Sequence, residues 1–271
     1  MSKRVQIINC LVEGCSVRAT SRMTSAAKGT VLKLLADVGK ACENYQDKTL
    51  QNLPCERVQC DELWSFCYSK EKNIPEKFRG SFGYGDVWTW IALDADSKLA
   101  ISWLVGERDA RHARLFLSDL ARRLTNNGQL QLTTDGHGAY LPAVEDVFGS
   151  GIHYCQLIKL YGQDPEAEKR YSPLKCIGVE RRTINGEPDP QHVSTSFAER
   201  NNLTLRMSMR RFTRLTNAHS KKVENLKHAL AMHFMYYNFA RIHSTLRVTP
   251  AMEAGVANHI WDLEEIVALA D

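Results

Sequence analysis

The sequence predicts an α/β protein in which helices flank a mixed β-sheet. Three observations support this fold class: a helical apolar period near the N-terminus, strand-like runs that later alternate with helices, and two long helical segments near the end. With 271 residues, the chain is long enough for one sizeable core and a small accessory domain. We therefore predict a helical domain at 1–42, a linker at 43–54, a sheet domain at 55–245 and a helical tail at 246–271.

The bulk composition is that of a globular protein in water. Hydrophobic residues make up 44% of the chain and charged residues 24%. No run approaches the roughly 18 consecutive apolar residues of a membrane helix, and the N-terminal segment lacks a signal-peptide cleavage pattern. We expect a soluble intracellular protein that does not bind membranes.

The eight cysteines include no Cys-x-x-Cys pair and no regular framework of spacings. We interpret them as reduced thiols that are mostly buried and act as small hydrophobic side chains. Zinc held by Cys10 and Cys15 with two distant partners is the alternative.

Three short helices are predicted within residues 3–40. The first carries an apolar stripe and ends near Gly14, Ser16 caps the second, and Thr24 or Ser25 caps the third. A tight turn between the second and third helices is typical of a helix-turn-helix, whose second helix enters the DNA major groove. Lys28 and Thr30 would then contact DNA. A docking or dimerisation unit has the same outline.

Strand patterns begin after the linker, and helices then alternate with strands. The predicted strands are 56–67, 87–93, 99–105, 129–134 and 152–156, with helices at 109–124 and 138–148 between the later ones. Residues 159–193 show no sustained period, so we interpret them as an insertion, with a small hairpin around Asn185-Gly186. Two long helices follow, near 195–215 and 219–241.

Three acidic residues occupy informative places in this order of elements. Asp61 lies on the first strand, Asp135 follows the fourth, and Glu199 lies near the start of the long helix predicted at 195–215. The order is typical of the RNase H-like fold, whose sheet would bring these carboxylates together around two Mg2+ ions, with Mn2+ able to replace them. A strand-end charge, a turn residue before Gly136 and a helix-dipole residue are the simpler interpretations.

Positive charge is concentrated in two segments. Residues 1–50 carry eight Lys or Arg and four acids, and residues 195–247 carry ten and two. A helix that continued from Glu199 would place some of these cations on its face, as a track for DNA phosphates. The candidate DNA-binding residues here are Arg200, Arg206, Arg210, Arg211, Arg214, Lys221 and Lys222. A solvated helix face is the alternative.

Several segments resemble the motifs of a known enzyme family. The chain reads CDELW at 60–64, TTDGHGAY at 133–140 and SFAERNNLTLR at 196–206, followed by RFTRLT at 211–216 and YNFARIH at 237–243. Together they resemble bacterial insertion-sequence transposases, in particular the first-described insertion-sequence family. The 159–193 insertion exceeds the minimal core, and the zinc module of some relatives has no matching cysteine pattern here.

The resemblance implies a DDE transposase, a magnesium-dependent enzyme that nicks transposon ends and joins the freed 3′-hydroxyls to target DNA. Asp61, Asp135 and Glu199 would be its catalytic and metal-binding residues. Its partner would be double-stranded DNA: the transposon ends, which carry the terminal inverted repeats, and the target DNA. It would have no small-molecule substrate. The protein would act as a homodimer or higher oligomer in the bacterial cytoplasm, on the nucleoid when bound to DNA.

Two other classes share part of this evidence. A non-catalytic DNA-binding regulator derived from a transposase would keep the basic segments but has no need of three clustered acids. An RNase H-like nuclease without strand transfer would share the metal site. Divalent-metal binding separates the first from the enzyme, and a joining assay with a pre-cut end separates the second.

Overall fold

A computed structural model describes residues 1–125, 128–162, 175–213 and 216–271. Its sheet contains six strands: β1 (Arg57–Cys67), β2 (Gly85–Asp94), β3 (Ala100–Gly106), β4 (Gln131–Asp135), β5 (His153–Gly162) and β6 (Lys175–Asn185). The described helices are α1 (Lys3–Val12), α2 (Val17–Thr24), α3 (Lys28–Thr49), α4 (Ala110–Arg123), α5 (Tyr140–Phe148), α6 (Ser196–Ser208), α7 (Val223–Met235), α8 (Pro250–Glu253) and α9 (Leu263–Ala268).

The sheet has the strand order β3-β2-β1-β4-β5-β6. The pairs β1–β2 and β2–β3 are antiparallel, β1–β4 and β4–β5 are parallel, and β6 runs antiparallel to β5 at the edge. This mixed α/β topology confirms the predicted RNase H-like fold class. Strands β1 and β4 run parallel with Gln59 beside Thr133, so Asp61, in the middle of β1, and Asp135, at the end of β4, lie close together.

Helices cover both faces of the sheet. On one face, Trp90 of β2 contacts Phe116 of α4 and Tyr140 of α5. On the other face, Trp103 of β3 stacks on Phe234 of α7. Because side chains alternate along a strand, residues 61 and 62 of β1 face opposite helical layers.

Three helices form the N-terminal segment as predicted, but the turn before the third differs and the third is long, with 22 residues. Ser16 caps α2 as predicted, accepting a 3.1 Å hydrogen bond from the backbone of Ala19. The predicted cap of the third helix at Thr24 or Ser25 is wrong. Thr24 ends α2, Ser25 adopts a left-handed φ of 54° that turns the chain, and α3 begins at Lys28 without a side-chain cap.

The third helix extends through half of the predicted 43–54 linker. It extends as far as Thr49 because its buried face continues through Cys42 to Gln46. The Gln46 side-chain amide donates a hydrogen bond to the carbonyl of Ala231 on α7. Helices α3 and α7 touch closely at Gly39, where an added Cβ would lie 2.6 Å from Cβ of His228. The N-terminal helices therefore share one hydrophobic core with the sheet.

The predicted insertion contains a strand that the sequence pattern did not reveal. Strand β5 continues past 156 to Gly162, and β6 pairs with it, so the hairpin is formed by β5 and β6 rather than around Asn185-Gly186, where β6 ends. Much of β6 is exposed on both faces, and its charged and apolar residues mix without a two-residue period. The remaining part of the insertion, 163–174, lies outside the described residues.

The two long C-terminal helices are shorter than predicted. Helix α6 stops at Ser208 because Met209 is extended, and a 3-10 turn at Arg210–Phe212 buries Phe212 in the core. Helix α7 begins at Val223 and continues into a π-helical turn at Tyr236–Ala240. In the described ranges, no helix is long and apolar enough to span a bilayer.

Candidate active site

The three acids singled out from the sequence line one cleft of about 520 Å³. Asp61 comes from the middle of β1, Asp135 from the last position of β4, and Glu199 from the first turn of α6. The parallel register pairs Gln59 with Thr133, so Asp61 and Asp135 each lie two residues further along diverging strands. The fold thus brings together the carboxylates that the sequence separates by 74 and 64 residues.

Helix α6 is fixed to β1 by hydrogen bonds to the side chains of Gln59 and Asp61. The side-chain carbonyl of Gln59 accepts from the backbone of Phe197 at 2.9 Å and of Ala198 at 3.1 Å, which satisfies two free amides of the helix N-terminus. One turn beyond Glu199, the Asn202 amide donates to Asp61 at 2.7 Å. These contacts set the position of Glu199 over the sheet edge.

A fourth acid, Glu62, lies next to Asp61 and Asp135 but on the opposite face of the sheet. Each of Asp61, Glu62 and Asp135 places an oxygen within 4.8 Å of the other two. The Glu62 carboxylate, 1% exposed, accepts from Arg108 at 2.6 Å and from the Tyr140 hydroxyl at 3.1 Å. It faces the α4–α5 layer, as strand alternation predicts, and fixes Arg108 rather than opening into the cleft.

Arg108 connects this buried network to the cleft. Its guanidinium lies 3.7 Å from Asp135 and stacks over Trp88 with 4.6 Å to the ring centroid. Three attachments, to Glu62, Asp135 and Trp88, hold the cation at the cleft wall. One arginine therefore pairs with two carboxylates, Glu62 and Asp135.

The carboxylates are electrostatically crowded. Burial, together with the negative charge of Asp135, raises the pKa of both Asp61 and Glu62 to about 7. Glu199 adds to the rise at Asp61. An all-oxygen donor set whose charges repel one another fits a hard divalent cation such as Mg2+ or Mn2+.

The other side of the cleft carries Glu199. One oxygen accepts from the Thr195 hydroxyl at 2.5 Å, and the other forms an ion pair with Lys159 of β5. The two charged side chains are 39% and 30% exposed, so this pair is much more accessible to water than Glu62.

The segment after β4 shapes the floor of the cleft. The backbone amide of His137 donates to Asp135 at 2.9 Å, which fixes the carboxylate. Gly136 permits the close passage of β5, because an added Cβ would lie 3.0 Å from Ile158. Burial and nearby Arg108 lower the pKa of the His137 ring, so it is neutral near pH 7.

The candidate DNA-binding residues are spread around this region. Lys28, Thr30, Arg200, Arg210, Lys221 and Lys222 are exposed, Arg206 is half-buried on α6, and Arg214 lies outside the described residues. The predicted helical stripe is wrong beyond Ser208, because Arg210 and Arg211 follow the end of α6. Arg211 donates to the Ser220 hydroxyl at 2.6 Å, and burial lowers its pKa to about 10, which indicates a structural contact.

Four residues of the site were not predicted. Gln59 and Asn202 carry a weak sequence signal, because each shares a face with a predicted acid: Gln59 two residues before Asp61, and Asn202 three after Glu199. Arg108 and Lys159 carry none, since only the folded sheet places them in the cleft. The cysteine prediction fares better: five of the eight are buried and all are free thiols.

Two solved structures are distantly similar to this chain. No family model matches the chain, and no curated protein matches it. A pre-cleavage Mos1 transpososome is similar at 10% identity and TM-score 0.25, over 57% of this chain and 58% of that one. A piggyBac transposase synaptic complex with hairpin DNA is similar at 10% identity and TM-score 0.42, over 98% and 69%. The chain thus spans little more than half of the Mos1 chain.

Proposed function

We propose that this protein is a DDE transposase that cleaves DNA at the ends of an insertion sequence and transfers the freed strands to target DNA. The observation that carries the proposal is the convergence of Asp61, Asp135 and Glu199 on one cleft. They come from β1, from β4 and from α6, the helix that follows the last strand of an RNase H-like sheet. The motif resemblance around each of these acids supports the same choice.

Asp61, Asp135 and Glu199 would hold two Mg2+ ions, which Mn2+ could replace. When bound, such ions activate a water or 3′-hydroxyl and stabilise the leaving oxygen of a phosphodiester. The chain's own residues fix the donor positions: Asn202 orients Asp61, the His137 amide orients Asp135, and Thr195 orients Glu199. The carboxylates act while ionised.

The surrounding cations provide for the DNA. Exposed Arg200, Arg210, Lys221 and Lys222 would contact phosphates of the strand that enters the cleft, with Arg206 alongside on α6. Lys28 and Thr30 lie exposed at the start of α3, the second helix of the helix-turn-helix, where major-groove contacts to the terminal inverted repeats would be made. Two ends handled together would require a dimer or higher oligomer.

The test is cleavage of duplex DNA that carries the inverted repeats flanking the gene, with and without Mg2+. We expect Asp61→Asn, Asp135→Asn and Glu199→Gln each to reduce cleavage at least 100-fold, because each removes a charged metal ligand. Glu107→Gln is the matched control: Glu107 is an exposed acid of the separate group formed with Asp109 and His112, and its loss should leave cleavage unchanged.

Two further assays distinguish the related classes. Strand joining with a pre-cut end separates a transposase from a nuclease, since only the former transfers the 3′-hydroxyl to target DNA. Calorimetric titration with Mg2+ identifies a non-catalytic regulator, which would bind DNA and no metal. Cleavage that persists in a pure Asp135→Asn protein would refute the proposed site.

A further inference from the structure

Lys159 pairs with Glu199 on the accessible side of the carboxylate cleft. Its ammonium donates to one oxygen of Glu199, while Thr195 donates to the other. Both Lys159 and Glu199 line the cleft, on the face of the sheet that α6 covers. Across the described ranges, Glu199 is the one carboxylate within ion-pair distance of Lys159.

Lys159 differs in this respect from the other cation of the cleft. Arg108 would keep Glu62 and Trp88 as partners if Asp135 bound another cation. A cation at Glu199 would instead displace the Lys159 ammonium from its acceptor, because like charges repel at such short range. The displaced ammonium would lie at the cleft on a flexible four-carbon stem, where a phosphate is a suitable new partner.

We propose, on the basis of the function proposed above, that Lys159 is a metal-released phosphate ligand. In the metal-free protein it neutralises Glu199. When Glu199 binds a divalent cation, Lys159 turns to a backbone phosphate of the DNA in the cleft. Metal loading would thereby add one phosphate contact, so DNA is held most tightly by protein that is ready for chemistry.

The first measurement is metal binding without DNA, by calorimetric titration with Ca2+ as a hard oxygen-seeking probe. Lys159→Gln removes the competing cation, so we expect it to bind Ca2+ roughly two- to fivefold more tightly than wild type, the range that an exposed ion pair contributes. Lys159→Arg should behave like wild type. The matched control is Lys48→Gln, which removes one exposed charge from the last turn of α3 and should change nothing.

The second measurement is the salt dependence of binding to a short random-sequence duplex, followed by fluorescence anisotropy. Each lost phosphate contact reduces the slope of log affinity against log salt concentration by about 0.9. In Ca2+ we expect the slope of Lys159→Gln to be smaller than that of wild type by this amount. In EDTA the two slopes should agree, because Glu199 then holds Lys159.

Three results would overturn the proposal. Slopes that differ equally with and without Ca2+ would make Lys159 a constant DNA contact, and slopes that agree under both conditions would remove it from the DNA interface. Either result leaves the metal site intact if Asp61→Asn abolishes Ca2+ binding. Wild-type protein that binds no Ca2+ would overturn the proposed function together with this inference.

Discussion

The two sides of the cleft hold the same kinds of charge in opposite ways. On the sheet side, Asp61 and Asp135 are backed by Glu62, a carboxylate that is 1% exposed and bonded to Arg108 and Tyr140. On the helix side, Glu199 pairs with Lys159 in contact with water. The first arrangement is part of the core and resists change, whereas the second can exchange partners at little cost. With the function proposed above, the cleft would combine a fixed half with an adjustable half.

The largest effect should follow from breaking the pair between Arg108 and buried Glu62. Arg108→Leu leaves the Glu62 carboxylate without its charged partner; because Arg108 itself is 38% exposed, we expect a loss of about 2 kcal/mol in the free energy of unfolding at pH 8, less than a fully buried pair would lose. The measurement is urea unfolding. The double variant Arg108→Leu with Glu62→Leu removes both charges and should recover most of the loss. A single variant as stable as wild type would show that Glu62 is not dependent on Arg108.

The crowding of the sheet-side carboxylates predicts that removing the charge of Asp61 stabilises the protein, and that this gain in stability depends on pH. Asp61 has a pKa of about 7 in the folded protein and an ordinary value of 3.8, so its ionisation opposes folding above pH 7, and this penalty disappears as the pH falls toward 4. Asp61→Asn should therefore stabilise the metal-free protein by on the order of 2 kcal/mol at pH 8 and by less at pH 5.

Thermal unfolding at the two pH values, with and without Mg2+, checks this expectation. The comparison of variant with wild type cancels the titrating groups that do not interact with Asp61, including His233, whose pKa burial lowers to about 3. Mg2+ should raise the Tm of wild type and not of Asp61→Asn. An equal gain at pH 5 and pH 8 would contradict the assignment of the effect to the charge on Asp61.

The link between the halves is Gln59, which holds the N-terminus of α6 to β1. Gln59→Leu should cost about 1–2 kcal/mol, because two helix amides lose their acceptor. Gln131 is a matched control: it is also a buried glutamine of the sheet, bonded in both directions to the backbone of Asp189. Gln59→Leu and Gln131→Leu should lower the free energy of unfolding in urea by similar amounts. Only Gln59→Leu should weaken Ca2+ binding, measured by calorimetry. Equal Ca2+ affinities would mean that Glu199 does not need this anchor.

The division of the cleft also marks how far the sequence could be interpreted. Asp61 lies on a clear strand pattern and Asp135 ends another, and the order of elements together with the motif resemblance predicted their meeting. The β5–β6 hairpin was not predicted, because a strand exposed on both faces has no apolar alternation. Lys159 lies on this hairpin, so it was not recognised as a residue of the site. The end of α6 at Ser208 was also missed, since the burial of Phe212 that directs the chain inward is a tertiary effect.

The smallest effect on stability should come from the helix-side pair, although its chemistry resembles that of Arg108 and Glu62. Lys159→Gln separates charges that water already solvates in part, so we expect a change within about 0.5 kcal/mol in urea unfolding. Measured beside Arg108→Leu, it compares the loss of a cation that contacts two carboxylates, one of them buried, with the loss of a cation that contacts one partly exposed carboxylate. A loss as large as that of Arg108→Leu would mean that Lys159 is a fixed structural residue, and the cleft would then have no adjustable half.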